Sequence, residues 1–416
     1  MSDTQWNYRA PKFTPQPVAE QLRDGYWLEA PDIDRDSRPD LIGYGLSLGE
    51  IYWYQNPDWT QHLVVDKITM PVGMDFGDIT GNGYPDMVVC YDLYGPGGTL
   101  RDPKADGGKI DWIENPGNPA NTERRWDRHY IGRTVGMHRL RVGHFTQTKH
   151  LEVIGLPIVA MEDIHALLPV VLFTRPDNVL KAKEWPMTTI DDSYFRMIHG
   201  ATRKENLIPG SNLDSLLLAS DEGISWLYYD TGARRWRNIH IGSGELTQFE
   251  KTGFKGSGDL DAGRIGADPF AYVAAIEPFH GNTVAVYCKE RSGSTAAEAQ
   301  WHRVLLDVYG DPNEKGEGPG HCVMCRDFDG DGDDEFLVGL RGPWPWQGVM
   351  YYKAIDAKNG VFAKWRVADE SVARIAVADF SGRGKLDFAT IAYTVPHYYV
   401  AKDARIMLYR NEIEAL

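Results

Sequence analysis

Three histidines in this chain stand at similar positions before strand-like segments, and an arginine directly follows the first. They are His138, His199 and His321, and the arginine is Arg139. Histidine titrates near neutrality, so it can take a proton and return it during a reaction. Arginine presents a rigid fork of donors that suits a carboxylate or an enolate oxygen. Together these residue types indicate β-elimination, in which a base removes a carbon-bound proton, cations hold the developing charge and an acid assists the leaving oxygen.

The same three imidazoles allow a rival interpretation, because three histidines can hold a Zn²⁺ ion. Neighbouring turns add His280 and Tyr94 to the candidate catalytic residues. Aromatic planes such as Trp344 and Trp346 suit the apolar face of a sugar ring. The candidate substrate-binding residues are Asp75, Tyr91, Trp344, Trp346, Arg374 and His397.

Four short turns of one pattern each precede an apolar run, and three of them carry acidic or oxygen-bearing side chains at positions 1, 3, 5 and 9. This spacing suits a hard cation, so we expect structural Ca²⁺, with Mg²⁺ as the alternative. The predicted ligands are Asp32, Asp34, Asp36 and Asp40, then Asp78, Thr80, Asn82 and Asp86, then Asp327, Asp329, Asp331 and Glu335. The fourth turn, at Asp379, has Arg383 at position 5. The charge of this arginine can replace the cation, so no ion is expected there.

These turns belong to a repeat, and the repeat predicts the fold. A tryptophan-led segment recurs at intervals of 51 to 67 residues, at Trp59, Trp126, Trp185, Trp236, Trp301 and Trp365. A seventh set of strands ends at Ile406-Met-Leu-Tyr without its outer strand, which the segment around Trp6 can supply. We therefore predict an all-β, seven-bladed β-propeller spanning residues 1–416 as one domain, with the N-terminal strand closing the last blade. An irregular pair of β-sandwiches is the alternative, but it leaves the phasing of turns and tryptophans unexplained.

The repeat also places the candidate residues. The acidic turns join the first two strands of a blade, so the first strand begins on the opposite face, beside the central channel. Counting six residues back from Asp327 gives His321, and aligning the other blades gives His138 and His199. We expect these histidines to face one axis at one depth, with Arg139, Arg374 and Asp75 near that level.

Composition and charge argue against several classes of protein. The net charge of −15 argues against a nucleic-acid partner, which needs a basic patch. The sequence contains no run of 18 apolar residues, so we expect no membrane helix. The N-terminus lacks the apolar region of a secretory signal peptide, which favours the cytoplasm, with another export route as the alternative. No obligate protein partner is indicated.

The four cysteines are too few for a disulfide framework in a chain of this length. Cys322 and Cys325 follow His321 in a strand-like run and resemble a metal-ligand set. Residues three apart in a strand point to opposite faces, so we expect buried thiols there instead of a metal site.

Several motifs resemble the propeller part of fungal aldos-2-ulose dehydratase. They are Gly25-Tyr-Trp-Leu-Glu-Ala, Ile42-Gly-Tyr-Gly-Leu, Trp112-Ile-Glu-Asn-Pro-Gly, Gly136-Met-His-Arg-Leu, Glu277-Pro-Phe-His-Gly-Asn-Thr and the Asp327 turn. The resemblance covers nearly the whole chain and implies a seven-bladed propeller. It maps the family's channel histidines onto His138 and His280. The cupin domains that follow the propeller in that family, and any isomerase step assigned to them, are not expected here.

Similar stand-alone propellers include fungal L-rhamnose-α-1,4-D-glucuronate lyases and dehydratases of 1,5-anhydro-D-fructose, all of which are carbon–oxygen lyases. Met74-Asp75 stands where the dehydratase has Met-His, and the turn after Tyr94 is longer. These departures favour a lyase that releases rhamnose from gum arabic-type side chains. A dehydratase of 1,5-anhydro-D-fructose or an aldos-2-ulose is the alternative, and a non-catalytic carbohydrate-binding propeller is the second. A lectin has little use for three titratable groups at one depth, which favours the enzyme.

Overall fold

The computed structural model describes residues 10–121, 124–160, 163–205, 207–208, 210–290, 295, 297–396 and 398–414. Within these residues the chain forms seven antiparallel sheets of four strands each and one separate hairpin. The first strands of neighbouring blades contact one another around a closed ring. The predicted seven-bladed β-propeller is therefore confirmed.

The strands follow the order of the blades along the chain. Strand β1 (Phe13–Ala19) belongs to the last blade. Blade 1 contains β2 (Trp27–Glu29), β3 (Leu41–Tyr44), β4 (Ile51–Gln55) and β5 (Thr60–Val65). Blade 2 contains β6 (Gly73–Gly77), β7 (Asp86–Tyr91), β8 (Lys109–Ile113) and β9 (Arg128–Arg133). Blade 3 contains β10 (Met137–Gly143), β11 (Glu152–Pro157), β12 (Val170–Thr174) and β13 (Met187–Asp191).

The remaining blades continue this order. Blade 4 contains β14 (Gly200–Lys204), β15 (Ser215–Ser220), β16 (Gly223–Asp230) and β17 (Arg235–Gly242). Blade 5 contains β18 (Asp259–Ile265), β19 (Asp268–Glu277), β20 (Thr283–Lys289) and β21 (Trp301–Val308). Blade 6 contains β22 (Gly320–Arg326), β23 (Glu335–Arg341), β24 (Gln347–Asp356) and β25 (Val361–Ala368). Blade 7 contains β26 (Arg374–Ala378), β27 (Asp387–Ile391) and β30 (Ile406–Asn411), while β28 (Thr394–Val395) and β29 (Tyr399–Val400) form the hairpin.

Helices are few and short. The α-helix α1 (Phe249–Thr252) precedes blade 5, and 3-10 turns occupy Pro119–Asn121, Val179–Lys181 and Ala357–Asn359. None of the helices in the described ranges is long and apolar enough to cross a membrane.

Strand β1 closes the ring by pairing antiparallel with β30, from Phe13 opposite Asn411 to Ala19 opposite Ile406. The predicted closure of the last blade by the N-terminal strand is therefore confirmed. The closing strand begins at Phe13, and the segment around Trp6 that we expected to close the blade lies outside the described residues. Closure satisfies the backbone groups that an open blade would expose at its edge.

The second strand of each blade is buried along most of its length, and the outermost strands are half-exposed. For example, β15 is buried throughout, whereas β21 alternates between half-buried and exposed residues. The tryptophan-led segments supply these outer strands, as predicted. All four cysteines are buried free thiols, as expected for Cys322 and Cys325, which pack into different apolar clusters.

The acid at position 9 of each turn is the centre of a buried hydrogen-bond network. Asp40 accepts the backbone N–H groups of Ile33 and Asn56, and Asp86 and Asp387 make the equivalent bonds in their blades. Asn56 then donates to the carbonyl of Phe380 in the preceding blade, at 2.9 Å. Asn115 and Asn411 bridge to their preceding blades in the same way. These asparagines join blades 1, 2 and 7 to the blades that precede them.

Removing one such bridge should loosen two blades together. We expect Asn411→Ala to cost about 1–3 kcal/mol of unfolding free energy, because the Phe328 and Leu386 carbonyls lose a buried donor. Chemical denaturation measures this change. Asn359→Ala, at an exposed residue, serves as the control and should cost under about 1 kcal/mol. Equal losses in both variants would contradict the bridging role.

Candidate active site

Four histidines meet at one end of the central channel. The ring centroids of His138 and His199 are 5.0 Å apart, and those of His280 and His321 are also 5.0 Å apart. The Nε2 atoms of His199 and His280 lie 2.9 Å from each other. All four rings are buried. The structure thus brings together every predicted catalytic histidine, and we call this group the histidine layer.

Local backbone irregularities aim three of these rings. Strand β10 has a bulge in which His138 is the extra residue, between Met137 and Arg139. Strand β22 has the same bulge at His321. A bulge changes the direction of a side chain, and here the rings of His138 and His321 turn into the channel. His280 has a φ of 39°, in the left-handed region that costs a side-chain-bearing residue energy.

Fixed acceptors set the tautomers of two of the rings. The Nδ1 atom of His199 donates to the Gly258 carbonyl at 2.6 Å, and Nδ1 of His321 donates to the Ala373 carbonyl. Each neutral ring therefore presents its Nε2 lone pair to the channel. The Nδ1 atom of His280 lies 3.3 Å from the Glu317 carboxylate, which likewise favours a proton on Nδ1.

Burial lowers the pKa of all four histidines well below the usual range. Nearby arginines and the other rings lower these pKa values further, since each added positive charge disfavours an imidazolium. The rings are therefore neutral at physiological pH, and neutral imidazole is the form that accepts a proton or binds a metal.

Arg139 is a buried cation beside these rings, with 1% of its surface exposed. Its Nη1 atom donates to the Val72 carbonyl at 2.7 Å and contacts His138 Nε2 at 3.1 Å. Its Nη2 atom contacts Tyr26 Oη and His199 Nε2, both at 3.3 Å. Among the described residues no carboxylate lies within 4 Å of this guanidinium. A buried cation without a counter-charge favours an anionic ligand.

A second set of side chains, which we call the arginine layer, lies one residue further along the first strands. It contains Trp27, Arg139, Asp259 and Arg374, from blades 1, 3, 5 and 7. The equivalent residues of blades 2, 4 and 6 are small: Gly73, Gly200 and Cys322. A Cβ on Gly200 would lie 2.7 Å from Asp259 Cα. Small residues in alternate blades therefore make room for the large ones.

The structure adds three site residues that the sequence interpretation missed. They lie in blade 6, in blade 7 and in the segment before β22. Glu317 accepts a 2.6 Å bond from Arg341 Nη2 and faces His280. Arg341 is fully buried and also donates to Tyr393 Oη at 3.1 Å. No repeat position signals Glu317, Arg341 or Tyr393.

A fourth missed residue, Tyr26, did carry a sequence signal. It lies six residues before Asp32, as His321 lies six before Asp327. Its hydroxyl is 3.5 Å from His138 Nε2. Applying the same count to blade 1 would have found it.

The other predicted site residues lie at varying distances from the histidine layer. Burial, then the hydroxyls of Tyr398 and Tyr26, raises the pKa of Tyr94, and Tyr94 lines a pocket with Val395 and Tyr398. Tyr91 instead bonds Asp111 within blade 2, at 3.1 Å. Trp344 is 65% exposed, and Trp346 is also exposed; Trp344 lines a surface pocket with Arg341 and Tyr399. His397 lies outside the described residues.

Asp75 does not reach the level of the histidines, contrary to our expectation. It lies two residues beyond Gly73 on β6 and accepts the Val142 N–H at 2.8 Å. There it lines a cavity of about 250 Å³ below the arginine layer, together with Glu29 and Arg141. Burial, and next the charge of Asp75, raises the pKa of Glu29 to about 7.

Three of the four histidines fit a metal ion. The ligand nitrogens of His199, His280 and His321 lie within 4.8 Å of one another. His321 Nε2 is buried without a hydrogen-bond partner in the described structure. Each Nδ1 is held by a carbonyl or carboxylate oxygen, the usual outer partner of a metal-bound histidine. A three-nitrogen set with an open fourth position suits Zn²⁺.

Comparison with known proteins gives a consistent assignment. Residues 107–290 match the family described as aldos-2-ulose dehydratase, beta-propeller domain. The chain is 36% identical to an aldos-2-ulose dehydratase of Phanerodontia chrysosporium over 96% of its own length. It spans about half of that relative, 46%.

Solved structures with this fold are much more distant in sequence. One is an Agrocybe aegerita lectin that recognises non-reducing terminal N-acetylglucosamine, with a TM-score of 0.50, 12% identity, and coverage of 84% of this chain and 81% of the lectin. A chain of a mitotic checkpoint complex has a TM-score of 0.50 at 9% identity, covering 98% of this chain and 97% of that one. These matches show the propeller fold alone. The sequence similarity, by contrast, is to the β-propeller domain of aldos-2-ulose dehydratases.

Proposed function

We propose that this protein is a carbon–oxygen lyase that acts on a sugar by β-elimination. The observation that carries the proposal is Arg139, a buried cation that has no carboxylate partner among the described residues and lies among neutral imidazoles. Such a site binds a negative charge and moves a proton, which are the two requirements of elimination beside a carboxylate or carbonyl. The relationship to aldos-2-ulose dehydratase supports the same class of reaction.

His138 is the proposed acid/base residue, because it alone of the four histidines lies outside the potential metal group. Arg139 always donates, so its contact needs the lone pair of His138 Nε2 and leaves the ring proton on Nδ1. Nδ1 has no partner within the described structure, so it is the nitrogen available to the substrate. It can deliver its proton to the leaving oxygen, and the proton that the base removes from carbon then returns to the ring.

The other residues hold charge and orientation. Arg139 neutralises the substrate's carboxylate or the enolate that forms after proton removal. In the metal-free protein, His321 Nε2 offers the unpartnered lone pair that can accept the carbon-bound proton. Glu317 orients His280, and Arg341 holds Glu317. A Zn²⁺ on His199, His280 and His321 would supply positive charge that stabilises the developing anion.

For the substrate, we propose an L-rhamnosyl-α-1,4-D-glucuronate end, as in gum arabic side chains. The free charge of Arg139 supports this choice, because a uronate carries a carboxylate, whereas 1,5-anhydro-D-fructose does not. Asp75 stands where the dehydratase has a histidine. This difference bears less on the choice of substrate than the sequence suggested, since Asp75 lies below the arginine layer. A dehydratase acting on an uncharged ketose remains the second candidate, supported by the sequence relationship.

Product analysis separates these candidates. Incubation with a rhamnosyl-glucuronate oligosaccharide should release rhamnose and a 4,5-unsaturated glucuronate, seen as new ultraviolet absorbance and by mass spectrometry. A parallel incubation with 1,5-anhydro-D-fructose is the control for the dehydratase. Rhamnose released without an unsaturated product would indicate hydrolysis and refute elimination. Binding without turnover of either sugar would favour a carbohydrate-binding module.

His138→Ala should remain folded and lose about 10²–10⁴ in kcat, the usual cost of removing a positioned acid or base. His240→Ala, at an exposed residue bonded to Tyr194, is the matched control and should keep its turnover. Circular dichroism checks folding, and steady-state kinetics measures turnover. A folded His138→Ala protein with more than about a tenth of normal turnover would remove His138 from the mechanism.

We also propose structural Ca²⁺ in the turns of blades 1 and 2. One carboxylate oxygen each from Asp32, Asp34 and Asp36 lies within 4.8 Å of the others, and Asp32 Oδ1 is buried without a partner among the described residues. Oxygen ligands at this spacing suit Ca²⁺. In blade 2 the proposal rests on the matching spacing from Asp78 to Asp86.

Blade 6, where the sequence also predicts a cation, holds a lysine ammonium in its turn. Lys353 Nζ lies 2.5 Å from Asp329, 2.8 Å from Asp331 and 2.8 Å from Glu335. Lys353 follows Tyr352, which pairs with Phe336. Gln55 occupies the same place in blade 1, following Tyr54 opposite Leu41. We propose that the ammonium replaces the ion in blade 6.

Lys353→Gln should give blade 6 the arrangement of blade 1 and make its stability depend on Ca²⁺. Three carboxylates would lose their counter-charge, so the midpoint of thermal unfolding should fall in chelator and recover with added Ca²⁺. Lys358→Gln, at an exposed residue, is the control and should behave as the parent protein. A variant equally stable with and without Ca²⁺ would contradict this interpretation.

A further inference from the structure

Trp27 holds both arginines of the arginine layer against one ring. The Cζ atoms of Arg139 and Arg374 lie 4.7 Å and 4.3 Å from its ring centroid. The indole is 1% exposed, and its Nε1–H donates to Glu29 Oε1 at 2.9 Å. A guanidinium over an indole is attracted by the ring's negative face, most strongly where water is excluded. Trp27 therefore restrains two cations in the centre of the channel.

The two arginines differ in what else holds them. Arg374 donates to Asp259 at 3.4 Å and so has a carboxylate partner. Arg139 has none within 4 Å among the described residues, and Asp259 still acts on it electrostatically. If the indole were absent, Arg139 could swing toward Asp259. Its Nη atoms would then leave His138 and His199.

We propose that Trp27 is a positioning residue that keeps Arg139 directed into the histidine layer, where it receives the negative charge of the substrate. This inference rests on the proposed function. Trp27 lies below the histidine layer and acts through Arg139, so it is not a catalytic residue. The indole face is the essential feature, and the bond to Glu29 sets its orientation.

The role can be separated from ordinary core packing by matched variants. Trp27→Phe keeps an aromatic face, and Trp27→Leu removes it. Trp53→Leu is the control, because Trp53 is equally buried in the same blade and stacks on His62 instead of an arginine. Calorimetry measures binding of D-glucuronate and of uncharged D-glucose, and kinetics measures turnover of the rhamnosyl-glucuronate substrate.

Trp27→Leu should lose the preference for glucuronate over glucose and about 10²–10³ in kcat/KM, the cost of losing a charge-stabilising donor. Trp27→Phe should lose less than about tenfold, and Trp53→Leu should keep both properties despite a similar loss of stability. In a double-mutant cycle, Arg139→Lys combined with Trp27→Leu should be no worse than the more severe single variant.

Three results would overturn the inference. The first two are unchanged glucuronate binding in a folded Trp27→Leu protein, and fully additive effects of Trp27→Leu and Arg139→Lys. Failure to prefer glucuronate in the parent protein would also overturn it, because Arg139 would then have no anion to receive. Failure of the proposed function gives a different pattern, in which the parent protein binds glucuronate selectively and forms no unsaturated product.

Discussion

The pairing of β1 with β30 is the constraint on which the rest of the molecule depends. It joins the two ends of the chain in one sheet, so seven first strands form a ring with no free edge. A closed ring forces side chains from all seven blades toward one axis. The histidine layer and the arginine layer exist only because residues far apart in sequence share this axis at two depths.

The chemistry of the site follows from how few charges this crowded axis can accommodate. Burial keeps the imidazoles neutral, while arginine retains its charge because of its high intrinsic basicity. Arg374 and Arg341 are compensated by Asp259 and Glu317. Arg139 instead contacts nitrogen lone pairs of His138 and His199, the Val72 carbonyl and the Trp27 indole. The result is a dry site with proton-accepting groups and one unsatisfied positive charge, which is how a protein stabilises an anionic intermediate without spending reorganisation energy.

The sequence predicts the blades well because their signals are local and repeated. Acidic turns and tryptophan-led strands mark each unit, and the six-residue count leads correctly to His138, His199 and His321. The same count leads to Tyr26, which lies six residues before Asp32. It also shows that Asp75 lies too close to its turn to reach the histidine layer.

Other features of the site depend on contacts that no local pattern carries. The bulges at His138 and His321 are register shifts between two strands. Glu317, Arg341 and Tyr393 come together only when the ring closes, through contacts between blades 6 and 7. Lys353 lies in β24, and its sequence context carries no signal. Only the pairing of β23 with β24 shows that its ammonium enters the acidic turn of blade 6.

The Lys353 ammonium affects how blade 6 assembles. A divalent ion must be captured from the surroundings, where its supply varies between compartments and over time. A lysine is delivered with the polypeptide, so the blade 6 turn can close as soon as β24 pairs with β23. Blade 6 also carries His321 and Arg341. One side of the histidine layer therefore belongs to a blade whose acidic turn is neutralised by a side chain of the same polypeptide.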